Sequence, residues 1–184
     1  METLVPFIKN ALKHQPELKL WASPWSPPTW MKYNKHYAGE MSEPDMPTNG
    51  LKPEQQVWEG TDQFIQEDRY FRTYSAYIAR FIKEYSSQGI KISMVMPQNE
   101  FNSPQPFPSC SWSAEGLARF ISFLGPELQK LNVDVFFGTM ERNRTKNSLI
   151  LLCSIPKLAN TLKVQDFNGP ASEQLWAYIA VIPP

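Results

Sequence analysis

An apolar run that ends abruptly in polar side chains constrains the fold of this chain more than any other feature. The run is Ile92–Phe101, with the sequence Ile-Ser-Met-Val-Met-Pro-Gln-Asn-Glu-Phe. Continuous apolar character is typical of a strand buried on both faces, as in a parallel sheet covered by helices. α/β barrels carry their chemistry at the carboxyl ends of such strands. Glu100 is therefore the first candidate for catalysis, although a solvated loop after the strand explains this stretch equally well.

Helical and strand-like patterns alternate along the chain, in the order that predicts a parallel α/β sheet. Ser113 is placed to cap the last predicted helix, and Gly89 to end the one before it. The predicted helices span about 3–14, 68–87 and 113–130, and the predicted strands lie at 18–22, from 92 onwards and at 133–138. Trp, Asn-Glu and Glu-Arg residues all follow the carboxyl ends of strands, which favours a barrel.

A proline-rich loop, Ser23–Met31, follows the first predicted strand. Its three prolines fix φ and remove backbone donors, so the loop is rigid and cannot continue the strand. It carries Trp25 and Trp30, whose indole rings suit either stacking on sugar C–H groups or packing at a barrel rim. The polar segment Tyr33–Thr61 that comes next predicts a long excursion, with a helical turn near Pro53–Trp58.

Composition excludes several classes of function. The 18 basic and 18 acidic residues balance, so nothing indicates binding to nucleic acid or to an anionic membrane surface. The cysteines, Cys110 and Cys153, and the histidines, His14 and His36, lack metal-ligand spacing, and neither a metal nor another cofactor is expected. The chain shows no signal-peptide pattern and no apolar run of membrane-spanning length, which leaves its cellular compartment undetermined.

Two motifs carry a resemblance to a known family. Leu18–Met31 and Gln98-Asn99-Glu100 resemble family 30 of the glycoside hydrolases, the group that contains the glucosylceramidases. The resemblance extends from about Leu4 to Arg142 and implies part of a (β/α)8 TIM barrel, roughly strands three to five. Phe101 stands where proline is common in the family, a position that takes no part in proton transfer.

The resemblance implies a role for each matching residue. Glu100 would be the general acid/base of a retaining β-glycosidase, and Asn99 would bind the 2-hydroxyl of the sugar. Trp25 would line the sugar subsite, with Trp30 supporting it. Such enzymes use two carboxyls about 5–5.5 Å apart, and the family's nucleophilic Glu follows a strand beyond this chain.

The expected substrate is a β-glucoside or a glucosylceramide-like glycoside, and no protein partner is predicted. Because the nucleophile is missing, we expect little or no hydrolysis by this chain alone. Two alternatives stay open, namely an inactive carbohydrate-binding fragment and a non-functional gene product.

The last part of the chain lacks this family character. We expect a partial barrel domain over residues 1–142, and we assign no domain to residues 143–184. Ser154–Ser172 can be written with synonymous codons whose DNA, read in the neighbouring frame, encodes DPEASKYIKGAGFQWAGK. That string is similar to the family's sixth-strand region. We hypothesise a frameshift between about Arg142 and Ser154; genomic DNA whose neighbouring frame lacks that string would refute it.

Overall fold

The computed structural model describes residues 4–137, 162–164 and 176–181, with no side-chain detail at Phe137 or in the last two segments. Helices and strands alternate through the main segment, as the sequence predicts. The elements are α1 (Leu4–His14), β1 (Lys19–Pro24), α2 (Asp68–Ser87), β2 (Ile92–Val95), α3 (Ala114–Gln129), β3 (Asp134–Phe137), β4 (Leu162–Val164) and β5 (Trp176–Val181). Short 3₁₀ turns occur at Thr29–Met31 and Pro53–Gln55.

The described strands form one sheet in the order β4-β3-β2-β1-β5, and every neighbouring pair is parallel. This confirms an α/β fold of the partial-barrel kind. Two of the described strands, β4 and β5, lie within residues 143–184, to which the sequence assigns no domain. β5 pairs with β1, at the opposite edge of the sheet from β4. Short strands of this kind are set by pairing with distant residues, which local periodicity does not record.

Local sequence accounts for where the helices begin and end. α2 spans Asp68–Ser87, as its periodicity predicts, and the chain leaves it through Gly89 in the left-handed region, at φ +76°. Ser113 caps α3, because its Oγ accepts a hydrogen bond from the N–H of Gly116 at 2.9 Å. The Asp62 carboxylate accepts from the N–H and the Oγ of Ser113, at 2.8 and 2.9 Å.

The main core lies between the sheet and the helices, and aromatic rings dominate it. Phe64 stacks on Trp112 and Phe71, with ring centroids 4.7 and 5.7 Å apart. Phe120 joins the same cluster from α3, 5.3 Å from Trp112. The opposite face of the sheet has a smaller cluster that contains Met94 and Phe136. β2 is thus buried on both faces, which is why its sequence is continuously apolar.

None of the helices in the described segments is long and apolar enough to cross a membrane.

Candidate active site

The carboxyl ends of β1 and β2 are held side by side. Beyond the strand pairing, the N–H of Met96 donates to the carbonyl of Ala22 at 2.9 Å. The N–H of Asn99 donates to the carbonyl of Pro24 at 3.0 Å. These contacts bring the loop that carries Trp25 against the segment that carries Asn99 and Glu100. Three of the residues singled out from the sequence therefore share one edge of the sheet.

Gln98 joins these loops from within. Its side chain is only 2% exposed. Its Nε2 donates to the carbonyls of Trp25 and Asn99, at 2.8 and 3.0 Å, and its Oε1 accepts from Trp112 Nε1 at 3.4 Å. One amide thus satisfies groups from three parts of the chain. In the sequence, Gln98 stands out only as part of the Gln98-Asn99-Glu100 motif, and no local pattern predicts that its side chain bridges these loops.

Glu100 itself has an unusual backbone. Its φ is +44°, in the left-handed region that residues other than glycine rarely occupy. Its carbonyl accepts from the N–H of Ser103 at 2.9 Å, so a tight turn begins at the candidate catalytic residue. Non-glycine residues in strained conformations cluster at active sites. The turn leaves the side chain half-buried at the edge of the sheet.

The carboxylate of Glu100 is contacted by an amide from the next loop. Gln105 Nε2 donates to Glu100 Oε2 at 3.1 Å and to Ser103 Oγ at 2.8 Å. Ser109 holds the backbone of Gln105 in turn, because the Oγ of Ser109 accepts a hydrogen bond from the N–H of Gln105 at 3.1 Å. The orientation of the carboxylate therefore depends on a loop that begins after Glu100.

The two candidate tryptophans have different surroundings. Trp25 is half-buried, and its ring lies 5.7 Å from that of Phe107 at an angle of 48°. Trp30 is 57% exposed, and its ring contacts Tyr70 in the first turn of α2, 6.1 Å away. Trp25 is therefore the one held beside Asn99 by the Gln98 bridge. A direct role of either ring in binding sugar stays a prediction.

A buried lysine that the sequence reasoning missed links the loops around this edge. Lys32 has no exposed surface, and its Nζ donates to Ser26 Oγ at 2.9 Å, to the carbonyl of Tyr37 at 2.9 Å and to the carbonyl of Ser109 at 2.7 Å. These acceptors belong to the Trp25 loop, the long excursion and the loop after Glu100. The three donors of an ammonium group are thus matched by three oxygens.

Burial sets the protonation of this interior. Desolvation lowers the pKa of Lys32 from 10.5 to about 8, against an opposing electrostatic effect of Cys110. Desolvation also raises the pKa of the Cys110 thiol from 9.0 to about 12, although the charge of Lys32 lowers it. At neutral pH the lysine is therefore charged, the thiol is neutral, and the hydrogen bonds of Lys32 hold the loops in place.

Some of the predicted features fall elsewhere. The polar pair Glu141-Arg142 and Cys153 lie outside the described residues, as do most of residues 143–184. In the segments that are described, no three His, Cys, Asp or Glu side chains come together as metal ligands.

A parallel sheet backed by helices, with a carboxyl and an amide at the carboxyl end of a strand, is the arrangement found in part of an α/β barrel. Comparison with known families gives the particular class. The profile described as "Glycosyl hydrolase family 30 TIM-barrel domain" matches residues 1–149, and the chain belongs to this family. Glycoside hydrolysis is thus the activity of its family.

Two curated relatives agree with this assignment. The Caenorhabditis elegans protein named Putative glucosylceramidase 1 is 31% identical over 165 residues, 86% of this chain and 26% of the relative. The lysosomal acid glucosylceramidase of Mus musculus is 28% identical over 137 residues, 71% of this chain and 23% of the relative. The chain therefore spans about a quarter of the length of these relatives.

Solved structures show the same fold. SrfJ from Salmonella typhimurium is 27% identical, with a TM-score of 0.54 over 73% of this chain and 26% of that one. The endo-β1,6-glucanase BT3312 superposes with a TM-score of 0.64 over 88% of this chain and 34% of that one. The latter is 21% identical, so it supports the fold alone.

Proposed function

We propose that this chain supplies the acid/base half of a retaining β-glycosidase that cleaves β-glucosidic bonds by double displacement. The observation that carries the proposal is the carboxyl of Glu100, presented at the carboxyl end of β2 beside Asn99 and the Trp25 loop. The family and its glucosylceramidase relatives support this reaction class. The substrate is a β-glucoside or a glucosylceramide-like glycoside.

Each group has a defined task in this mechanism. Protonated Glu100 donates its proton to the glycosidic oxygen as the bond to the leaving group breaks, and a second carboxyl attacks the anomeric carbon. Glu100, now ionised, then takes a proton from the water that hydrolyses the glycosyl ester. Asn99 binds the 2-hydroxyl, and Trp25 offers a ring face to the sugar. We assign the nucleophile to none of the described carboxyls.

Binding of a cationic sugar mimic tests the role of Glu100 without requiring turnover. A protonated iminosugar places a positive charge where charge develops in the transition state, and a hydrogen bond to a charged group contributes about 1.5–3 kcal/mol. We expect Glu100→Gln to weaken iminosugar binding by about 10- to 100-fold. Glu115→Gln, an exposed carboxylate in the first turn of α3, is the matched control and leaves binding unchanged.

The same iminosugar comparison separates this proposal from an inactive carbohydrate-binding chain, which the partly exposed Trp25 and Phe107 pair favours. We expect no measurable hydrolysis of an aryl β-glucoside by the chain alone. Hydrolysis that Glu100→Gln abolishes would show that the nucleophile is present after all. Equal iminosugar affinity in the wild type and Glu100→Gln would refute the acid/base assignment and leave binding through the aromatic rings as the function.

A further inference from the structure

A groove of about 260 Å³ lies in the long excursion between β1 and α2, apart from Glu100. Two large aromatic side chains border it, Tyr33 and Trp58, which are 59% and 72% exposed. Among the described residues, no aromatic ring stacks on either one. Aromatic side chains this exposed leave apolar faces in water, and such faces are suited to the C–H groups of a hexose ring.

The polar groups of the groove fall into two sets. The amides of its floor are used within the protein: Gln55 Nε2 donates to the carbonyl of Asn34 at 2.8 Å, and Asn34 Nδ2 donates to that of Gln55 at 3.2 Å. In contrast, the indole N–H of Trp58 and the carboxylate of Glu54 have no hydrogen-bond partner in the part of the chain that the structure describes. The floor is thus fixed, while one donor and one acceptor beside the exposed rings are available to hydroxyl groups.

The groove lies on the same edge of the sheet as the candidate active site. The N–H of Gly60 donates to the carbonyl of Asn102 at 3.0 Å, and Asn102 is two residues beyond Glu100. Chain dimensions then limit the distance between the Cα atoms of Trp58 and Glu100 to about 20 Å. A glycan of several linked hexoses is long enough to bridge a separation of up to that length.

We propose that the groove bordered by Tyr33 and Trp58 is a second carbohydrate subsite, which binds uncharged hexose units of a glycan chain a few units away from the bond cleaved at Glu100. The direction of the glycan toward Glu100 rests on the proposed function, whereas binding in the groove does not. Among the β-glucosides of the proposed function, such a subsite favours oligosaccharides and polysaccharides.

Calorimetric titration with glucose and with a β-1,6-linked glucose tetrasaccharide tests the proposal on the full chain. The tetrasaccharide is expected to bind at least tenfold more tightly than glucose, because its linked units can contact both Tyr33 and Trp58. Loss of one stacked ring corresponds to about tenfold in affinity, so Trp58→Ala is expected to weaken tetrasaccharide binding by that factor. Trp58→Phe is expected to restore most of it. Phe7→Ala removes an aromatic ring that is 73% exposed on α1, and as the matched control it changes nothing.

Each alternative outcome refutes one identifiable statement. Equal affinities for glucose and the tetrasaccharide, absence of tetrasaccharide binding at millimolar concentration, or an unchanged affinity in Trp58→Ala would each overturn the subsite. If Trp58→Ala weakens tetrasaccharide binding while Glu100→Gln has no effect on the iminosugar, the subsite stands and the proposed function fails. If Trp58→Ala leaves tetrasaccharide binding unchanged while Glu100→Gln weakens iminosugar binding, the subsite is refuted and the proposed function stands.

Discussion

The pH dependence of stability is a direct consequence of the buried charge of Lys32. Folding lowers its pKa from 10.5 to about 8, so between these values the unfolded chain binds more protons at this group than the folded protein does. Stability therefore rises with pH across this window, by the linkage relation. Below pH 8 the lysine is charged in both states and the full cost of burying that charge is present.

The size of the effect follows from the two pKa values. Each pKa unit of difference between the two states corresponds to about 1.36 kcal/mol. Relative to pH 7, Lys32 therefore raises the free energy of unfolding of the wild type by about 1 kcal/mol at pH 9 and by about 2–3 kcal/mol at pH 10. Other groups oppose this rise. Burial raises the pKa of Cys110 from 9.0 to about 12, so its contribution to stability is lost as the pH rises through that window. Tyr74 has the same effect above pH 10, because burial raises its pKa well above the usual value.

Comparison with a variant isolates the lysine. Lys32→Met keeps an unbranched side chain, one atom shorter, and removes the titrating group, while Cys110 and Tyr74 are common to both proteins. The measurement is the free energy of unfolding in urea, by circular dichroism, at pH 7, 8, 9 and 10. We expect the difference between wild type and Lys32→Met to shift by about 2–3 kcal/mol in favour of the wild type between pH 7 and pH 10. Lys83→Met, at an exposed site on α2, serves as the control.

Two results would contradict the reasoning. A difference that stays constant from pH 7 to 10 would mean that Lys32 titrates alike in both states, and a difference that falls would mean that its buried charge is net stabilising. If Lys32→Met fails to fold, the wild type alone decides the question between pH 7.5 and 9. Cys110 opposes the rise only weakly there, because its thiol is at most half ionised in the unfolded chain up to pH 9, so stability must still increase.

Two further predictions concern single hydrogen-bonding and backbone positions. Gln98→Leu removes the hydrogen bonds that the Gln98 amide makes with the carbonyl of Trp25 and the indole N–H of Trp112, and a buried group whose hydrogen bond is lost costs about 1–3 kcal/mol. We expect a loss of about 3 kcal/mol in urea unfolding, and a loss below about 1 kcal/mol would show that other groups replace the bridge. Gly89→Ala places a Cβ at φ +76° with no neighbouring atom in the way, so its cost is conformational, about 1 kcal/mol. Ser86→Ala, exposed in the last turn of α2, is the control, and equal stability of the two variants would contradict the left-handed conformation.

The sequence alone determined the local elements of this protein. α2 begins and ends where the apolar spacing predicts, and Ser113 caps α3, because helix periodicity and capping depend on residues within a few positions of each other. The resemblance identified Glu100 as the candidate acid/base by the same kind of local signal, a short motif after an apolar strand.

Only the tertiary structure decided how the site is held together. Gln98 bonds Trp25 across 73 positions, and Lys32 reaches Ser109 across 77, so neither contact leaves a pattern in the sequence. The groove beside Trp58 depends in the same way on where the long excursion lies against the loop after Glu100. Burial and hydrogen bonding between distant residues are properties of the folded chain, and they convert an ordinary lysine and glutamine into the residues that position the candidate active site.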